Sequence, residues 1–305
     1  MVLKKYSIVI VSWNVRDLLI QSISDFVNRS DVEIIIIDNN SNDDSVEAVR
    51  SQFPEVTVVD NKVNLGFAGG NNQGFEMATG EYVFILNPDT ICTYEALQIM
   101  GRYLDENPQC GAVGPKIFYG NGVIQKSCAR RLPTVGSFFI MEVLRLKKVK
   151  SKVLNHWMKY PYKYDQIQSV EAISGAAILI RGALLKQLKG FDEIYLHTGE
   201  DIDLCKRVVE SGADIIYNPE SSLIHLAGQS SKQDLLKVMF KTHKSSYQYF
   251  KQNSGVGAAW VFWGLLMGIK IPVDVFYYFI RSKLFGKNEA EYKLNSSLFK
   301  KLTGI

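Results

Sequence analysis

Two acidic groups in the chain have the type and spacing for chemistry. The first is Asn87-Pro88-Asp89-Thr90, directly after the apolar run Tyr82–Leu86. A carboxylate in such a turn is a hard oxygen ligand for Mg²⁺ or Mn²⁺, a cation that would be shared with a diphosphate. An ordinary turn Asp has the same pattern, so Asp89 alone decides nothing. The second group is Phe191-Asp192-Glu193 with Glu200-Asp201-Ile202-Asp203-Leu204-Cys205. Thr198 and Asp201 match a capping box, and acids at a helix start are stabilised by its dipole. Held at that entrance, a carboxylate can also accept a proton from a hydroxyl. His225, one of four histidines, reads as structural unless other ligands stand beside it.

Polar residues also gather where apolar runs end. Ser12-Trp13-Asn14, Asp38-Asn39-Asn40-Ser41 and Asn87-Pro88-Asp89-Thr90 all stand at such ends. Open α/β sheets bind ligands outside the carboxyl ends of their strands, so three such ends form one rim. Within it Trp13 stacks on a ring or fills the core, and Asp38 meets a ligand or caps the helix near 43. Between the second and third ends lies Asn64-Leu65-Gly66-Phe67-Ala68-Gly69-Gly70-Asn71-Asn72-Gln73-Gly74. These glycines lack the G-x-G-x-x-G spacing, and Phe75-Glu76 stands where a P-loop needs Lys-Ser/Thr. The stretch predicts a turn into a helix whose first amides can approach a ligand.

These positions need a scaffold. The β-branched runs Ser7–Val11, Glu33–Ile37, Val56–Val59 and Tyr82–Leu86 alternate with helix-like segments near 15–28, 43–52, 69–79 and 93–106. Apolar strands joined by helices predict an α/β chain with a mainly parallel sheet covered on both faces. The pattern continues through a hairpin at Asn121-Gly122, a strand at Ala172–Ile180 and helices near 182–189 and 201–211. Strands near 213–217 and 221–226 follow. Of 305 residues, 47% are hydrophobic and 22% charged, which excludes a disordered or fibrous chain. A net charge of +4 is too small to argue for nucleic acid, and no such partner is expected. Cys92, Cys110, Cys128 and Cys205 have no CxxC spacing, so neither a disulfide framework nor structural zinc is expected, and a reducing compartment fits. The apolar run after Lys4-Lys5 stops at Ser12-Trp13-Asn14 and reads as a first strand rather than a signal peptide.

Taken together, Ile8-Val9-Ile10-Val11-Ser12-Trp13-Asn14, Ile37-Asp38-Asn39-Asn40-Ser41, the Asn64–Asn72 stretch, Asn87-Pro88-Asp89, Phe191-Asp192-Glu193, Glu200–Cys205 and His225 resemble glycosyltransferase family 2. The resemblance spans about residues 6–230, and Asn-Leu-Gly-Phe-Ala-Gly-Gly-Asn-Asn is similar to the rhamnosyltransferase-like branch. It implies a GT-A (Rossmann-like) mixed, mainly parallel sheet flanked by helices, with a C-terminal helical appendage. The implied activity is inverting transfer of a sugar from a nucleotide-sugar donor to a hydroxyl of a glycan or polyprenyl-diphosphate-linked acceptor, in cell-surface polysaccharide synthesis. In that branch the sugar is rhamnose from dTDP-L-rhamnose; related enzymes use UDP-sugars. The Gln-x-x-Arg-Trp signature of processive synthases is absent, which favours single-residue transfer.

Carried over by position, Ser12, Trp13, Asn14 and Asp38 hold the nucleoside, while Asn64, Phe67, Gly69, Asn71 and Asn87 line the donor site. Asp89, with His225, binds Mg²⁺ or Mn²⁺. Asn87 stands where many members carry the first Asp of a DxD motif, so the metal rests mainly on Asp89. Asp201 is the implied catalytic base, with Glu200 beside it ordering the acceptor, and Gly175 and Ala176 belong to a small-residue strand flooring the acceptor pocket.

The expected division is a transferase domain 1–230 (1–115 for the nucleotide sugar, 116–230 for acceptor and base) and a tail 231–305. The tail carries 12 Lys/Arg against 4 Asp/Glu, whereas residues 1–230 carry 23 against 27. Gly255–Ile269 has no charge, but its 15 residues fall short of the ~18–20 that span a bilayer, and Lys270, Pro272 and Asp274 then interrupt the run. Trp260, Phe262, Trp263, Phe276, Tyr277, Tyr278 and Phe279 beside Arg281, Lys283 and Lys287 suit a helix lying in a membrane interface. The expectation is a cytoplasmic protein, peripheral on the inner membrane face, whose anionic lipid meets the tail and the basic stretch Arg145, Lys147, Lys148, Lys150, Lys152, Lys159 and Lys163. Other uses of the tail are capping the core or a homodimer contact. Two rival functions are a nucleotidyltransferase, disfavoured because Ser12-Trp13-Asn14-Val15 lacks glycine, and a non-catalytic nucleotide-sugar or glycan-binding module.

Overall fold

The structure, a computed structural model, describes residues 4–144, 146, 162–196, 198–227, 235–285 and 288–303. It divides into two compact units. The first comprises Met1–Leu132, Tyr162–Glu193 and Glu200–Lys232. The second comprises Pro133–Pro161, Ile194–Gly199 and Gln233–Ile305, so it takes in two earlier segments besides the tail.

The first unit is built on strands β1 (Tyr6–Ser12), β2 (Val32–Asp38), β3 (Thr57–Asp60) and β4 (Tyr82–Leu86), with helices α1 (Arg16–Ile23), α2 (Ser45–Gln52) and α3 (Gly66–Met77) between them. All of β1 and β4 is buried, as a sheet covered on both faces requires. Then come β5 (Thr90–Ile91), α4 (Tyr94–Glu106), β6 (Cys110–Phe118), β7 (Gln168–Ser169), β8 (Ala177–Arg181), α5 (Gly182–Gln187), α6 (Glu200–Glu210) and β9 (Asp214–His225). The strand order is β3-β2-β1-β4-β8-β6-β9-β5, with β7 also on β9. The half β3-β2-β1-β4 is parallel, β8 runs antiparallel to β4 and β6, and β6 and β9 are parallel. This is the mixed α/β sheet flanked by helices that the family resemblance implies, and its half β3-β2-β1-β4 is the parallel sheet that the sequence pattern predicts.

Three local differences bear on the site. The two late strands are one, β9, whose pairing with β6 shifts register after Pro115–Asn218, so Pro219 interrupts the ladder without ending the strand. Strand β8 starts at Ala177, which leaves Gly175 and Ala176 in the turn before it rather than in the strand. Helix α3 starts at Gly66, so most of the glycine-rich stretch is helical. A Cβ at Gly74 would stand 2.4 Å from Val9 Cγ1, and one at Gly70 would stand 3.0 Å from Val11 Cγ1. These two glycines let α3 lie close on β1.

The second unit is helical. A short helix Val135–Phe138, capped by Thr134 and Ser137, leads into a π-turn, Phe139–Val143. Helices α7 (Leu235–Ser254), α8 (Val256–Leu265), α9 (Ile271–Phe285) and α10 (Glu289–Thr303) follow. The π-turn Leu266–Lys270 joins α8 to α9 without a break, and Pro272 follows it as the second residue of α9. The expected interruption is therefore absent: Val256–Leu284 is a 29-residue helix, long and apolar enough to cross a membrane. Lys270 Nζ donates to Asp274 Oδ2 at 2.9 Å within that helix, so the two charges answer each other. Phe262 packs against Phe138 and Phe250 (4.7 and 4.9 Å between ring centroids), while Trp260 and Phe276 are exposed. Of the basic stretch, Arg145, Lys147, Lys148, Lys150, Lys152 and Lys159 lie outside the described residues, as does Lys287.

Candidate active site

The carboxyl ends of β1 and β2 are tied to each other by their own polar side chains. Asn39 N–H donates to the Ser12 carbonyl at 2.8 Å, Asn14 N–H to Ser41 Oγ at 2.9 Å, and Asn42 N–H to Asn14 Oδ1 at 2.8 Å. Asp38 Oδ2 accepts from Ser41 N–H at 2.8 Å, an Asx-type turn, and α2 starts only at Ser45, so Asp38 is not its cap. Among the described residues Asp38 Oδ1, Ser12 Oγ and Asn71 Oδ1 are buried with no hydrogen-bond partner. One hydroxyl and two acceptor oxygens without partners, on the ends of β1 and β2 and on α3, suit a polar ligand. Asn64 Oδ1 accepts from Gly66 N–H at 2.9 Å and starts α3. Phe67 stacks on Phe191 at 5.6 Å, and Gly69 faces the Glu193 carboxylate. Trp13 is half-buried at the same rim.

A second polar group forms where β4 ends. Thr90 pairs with His225 across β5 and β9, and Leu226 N–H donates to the Asp89 carbonyl at 2.9 Å. That pairing sets His225 Nε2 3.1 Å from Asp89 Oδ1 and 3.3 Å from Asn87 Nδ2. Two adjacent ligands of an octahedral Mg²⁺ or Mn²⁺ at about 2.1 Å stand about 3 Å apart, which this pair matches. Asn87 Oδ1 is buried beside them without a partner among the described residues. One carboxylate and one imidazole suit a cation that takes its remaining oxygens from a diphosphate and water. Among the described residues no group of three His, Cys, Asp or Glu forms a metal cage.

The third group joins these to α6. Asn87 N–H donates to the Ala176 carbonyl at 3.0 Å, and the next residue back, Gly175, donates its N–H to Asp201 Oδ2 at 2.9 Å. The turn before β8 thus links the end of β4 to Asp201. Arg130 Nη2 donates to the same Oδ2 at 2.5 Å, with the two side chains only 10% and 14% exposed. Helix α6 starts at Glu200, so Asp201 lies one residue inside it rather than at the third position that a capping box needs. Its neighbour Glu200 is buried, with Oε2 unpartnered among the described residues. Burial first, then the charge of Asp201, hold the Glu200 carboxyl well above the usual carboxylate range. One acid is set on a guanidinium and an amide, the other is shifted by its surroundings toward the neutral form.

Sequence reasoning missed Arg130, Gln125 and Asn72. Asn72 Nδ2 donates to the Phe191 carbonyl and to Glu193 Oε1, both at 2.9 Å, and its Oδ1 accepts from Phe191 N–H at 2.8 Å, so it fastens Phe191-Asp192-Glu193 to α3. Its place in a run of polar residues after glycines was the available signal. Arg130 and Gln125 had none, since their partners lie 71 and 100 positions away.

Residues 7–186 match the model of glycosyl transferase family 2, more than half of the chain. The chain belongs to glycosyl transferase family 2 and is a glycosyltransferase. It is similar to N-acetylglucosaminyl-diphospho-decaprenol L-rhamnosyltransferase of Mycobacterium tuberculosis, 26% identical over 255 residues, covering 77% of this chain and 80% of the relative. Rhamnosyltransferase WbbL of Escherichia coli is 25% identical over 192 residues, 60% of this chain and 69% of that protein. Among solved structures, the mannosyltransferase PcManGT of Pyrobaculum calidifontis, in complex with GDP-Man and Mn²⁺, superposes with a TM-score of 0.53 at 14% identity, over 98% of this chain and 86% of that one. GalNAc-T7, with UDP, GalNAc and Mn²⁺, superposes at 0.55 and 17% identity over 82% of this chain and 50% of that one. These likenesses show the GT-A fold.

Proposed function

We propose that the protein transfers one rhamnose at a time from dTDP-L-rhamnose to a hydroxyl of a glycan or polyprenyl-diphosphate-linked acceptor, inverting the anomeric carbon, in cell-surface polysaccharide synthesis. The observation that carries the reaction is Asp201, aimed by Arg130 and Gly175 beside a neutral Glu200. The named rhamnosyltransferases support the donor, and the lipid diphosphate in the first relative's name supports the acceptor.

Ser12, Trp13, Asn14 and Asp38 take the nucleoside, and Asn64, Phe67, Gly69, Asn71 and Asn87 line the remainder of the donor site. Asp89 and His225 would hold Mg²⁺ or Mn²⁺, which when bound stabilises the charge growing on the leaving diphosphate. The acceptor, over Gly175 and Ala176, approaches C1 from the side opposite the diphosphate. Its oxygen bonds to C1 as the C1–O bond breaks, the bonding pair leaves with the diphosphate, and Asp201 takes the hydroxyl proton. A base so placed contributes about 10²–10⁴-fold. Glu200, kept protonated, is a donor able to order the acceptor.

Incubation with dTDP-L-rhamnose or UDP-sugars, with and without Mg²⁺ or Mn²⁺, while following nucleoside diphosphate release, tests the reading. Release of dTDP dependent on acceptor and cation is expected. Release from UDP-sugars alone moves the donor assignment, and no release from any donor with a lipid-linked glycan present removes the reaction.

The proposal places the protein in the cytoplasm on the inner membrane face, with residues 231–305 as a membrane-seated region following the transferase domain 1–230. The apolar length of Val256–Leu284 and the tail's excess of Lys and Arg support this. Phe276 and Trp260, 65% and 62% exposed, would enter the headgroup region. Sedimentation with anionic and neutral vesicles decides: equal recovery with both, or self-association into homodimers that hides these residues, removes the membrane seat.

A further inference from the structure

The imidazole of His225 is gripped from its far side by a residue to which nothing so far gives a role. His225 Nδ1 lies 3.0 Å from Gln125 Oε1, and both side chains are buried. An amide oxygen only accepts, so the ring proton must sit on Nδ1. In the neutral ring the other nitrogen, Nε2, is then bare, which agrees with the donor Asn87 Nδ2 at 3.3 Å. The second neighbour of Nε2 is the acceptor Asp89 Oδ1 at 3.1 Å. A bare nitrogen and a carboxylate oxygen at that separation repel each other unless a proton or a metal cation stands between them.

Gln125 is itself fixed. Its N–H donates to the Ile117 carbonyl at 2.8 Å, and its carbonyl accepts from Cys128 N–H at 3.0 Å. Those bonds anchor it to β6 and to the 3₁₀ turn Lys126–Cys128, so its side chain reaches the ring from rigid backbone.

We propose that Gln125 is a positioning residue: it keeps the His225 proton on Nδ1 and so turns a bare Nε2, together with Asp89, toward a divalent cation. This rests on the metal assignment made under Proposed function. Partners of this kind fix the tautomer of a metal-binding histidine and typically change metal affinity by about 10–100-fold.

The test is a Mn²⁺ titration followed by the EPR signal of free Mn²⁺, in the presence of dTDP and, separately, UDP, on the full chain and on Gln125→Leu and Gln125→Glu. Leu removes the acceptor, whereas Glu keeps one. The expected result is a Mn²⁺ Kd about 10–100-fold weaker for Gln125→Leu and within about threefold of wild type for Gln125→Glu. Equal affinity in all three proteins overturns the role of Gln125 while leaving the metal assignment standing. No Mn²⁺ binding by the wild type with either nucleotide overturns the metal assignment itself. Should Gln125→Leu not fold, ring-nitrogen NMR of His225 in the wild type answers the question: a proton on Nδ1 is expected, and a proton on Nε2 overturns the proposal.

Discussion

Asp201→Asn is the substitution that separates chemistry from binding at this site. The two side chains have the same shape, and the amide oxygen can still accept from Arg130 and Gly175, which now stand 2.5 and 2.9 Å from Oδ2. What disappears is the negative charge and the ability to take a proton. Loss of a general base lowers kcat by about 10²–10⁴-fold, or about 2.7–5.5 kcal/mol at 1.36 kcal/mol per decade. Donor affinity is expected to hold, because the buried unpartnered atoms of Ser12, Asp38 and Asn71 belong to the strand-end rim at β1, β2 and α3. The companion variant is Glu200→Gln. Burial raises its pKa and favours the neutral acid, so a neutral amide of the same shape should change kcat by less than about threefold. Nucleoside diphosphate release gives kcat, and calorimetric titration gives donor Kd. Full kcat in Asp201→Asn at unchanged donor Kd refutes the base assignment. So does a loss of about 10²–10⁴-fold in Glu200→Gln with Asp201→Asn unimpaired.

The same neutral acid makes stability depend on pH. Its folded-state pKa lies above the ordinary 4.5, so its contribution is complete below 4.5 and is lost as pH rises toward the folded value; Glu200→Gln should therefore gain melting temperature relative to wild type from pH 4 to 8, and a constant difference contradicts this. In the second unit, burial and then Lys270, against weaker pulls from Glu142 and Asp274, push His243 down from 6.5 to about 4. Its contribution is complete above pH 6.5 and is lost on acidification toward 4, so the protection of α7 amides, measured against their intrinsic exchange rates at each pH, should fall from pH 7 to 5 in wild type but less in His243→Gln. At Gly74 the Cβ of Ala would meet Val9 Cγ1 at 2.4 Å, an overpacking that costs about 1–3 kcal/mol against about 1 kcal/mol of helix propensity regained. Urea unfolding of Gly74→Ala should show the net loss, and an unchanged midpoint would mean that α3 does not lie so close on β1.

What could be read from the chain followed local rules. The parallel strands were legible because β1, β2 and β4 are apolar along nearly their whole length, a signature of burial on both faces. The rim was legible because polar residues end three of those runs. Gly70 and Gly74 were legible as special but not as packing residues, since the reason lies in Val9 and Val11 on another element. Pro219 and Pro272 misled in the same way. Each breaks a pattern in sequence, yet β9 absorbs the first in a register shift and the continuous helix Val256–Leu284 contains the second. Arg130 was beyond reach, because what matters about it is a partner 71 residues away.

Three acids crowd the first turn of α6, and the helix phase decides what each can do. At 3.6 residues per turn, Glu200, Asp201 and Asp203 leave the axis in different directions. Asp203 pairs with Arg207 at 2.7 Å, and that guanidinium also holds the Leu188 and Gly190 carbonyls. Its charge is spent fastening α6 to the chain end of α5. Glu200 turns inward, where a carboxylate with an unpartnered oxygen is affordable only as the neutral acid. Asp201 meets the Arg130 guanidinium and the Gly175 amide. Placing a neutral acid directly before a base also spares Asp201 a second negative charge at its side. The two carboxyls are unequal because their surroundings are, and that inequality is what divides a pair of adjacent acids into a base and a donor.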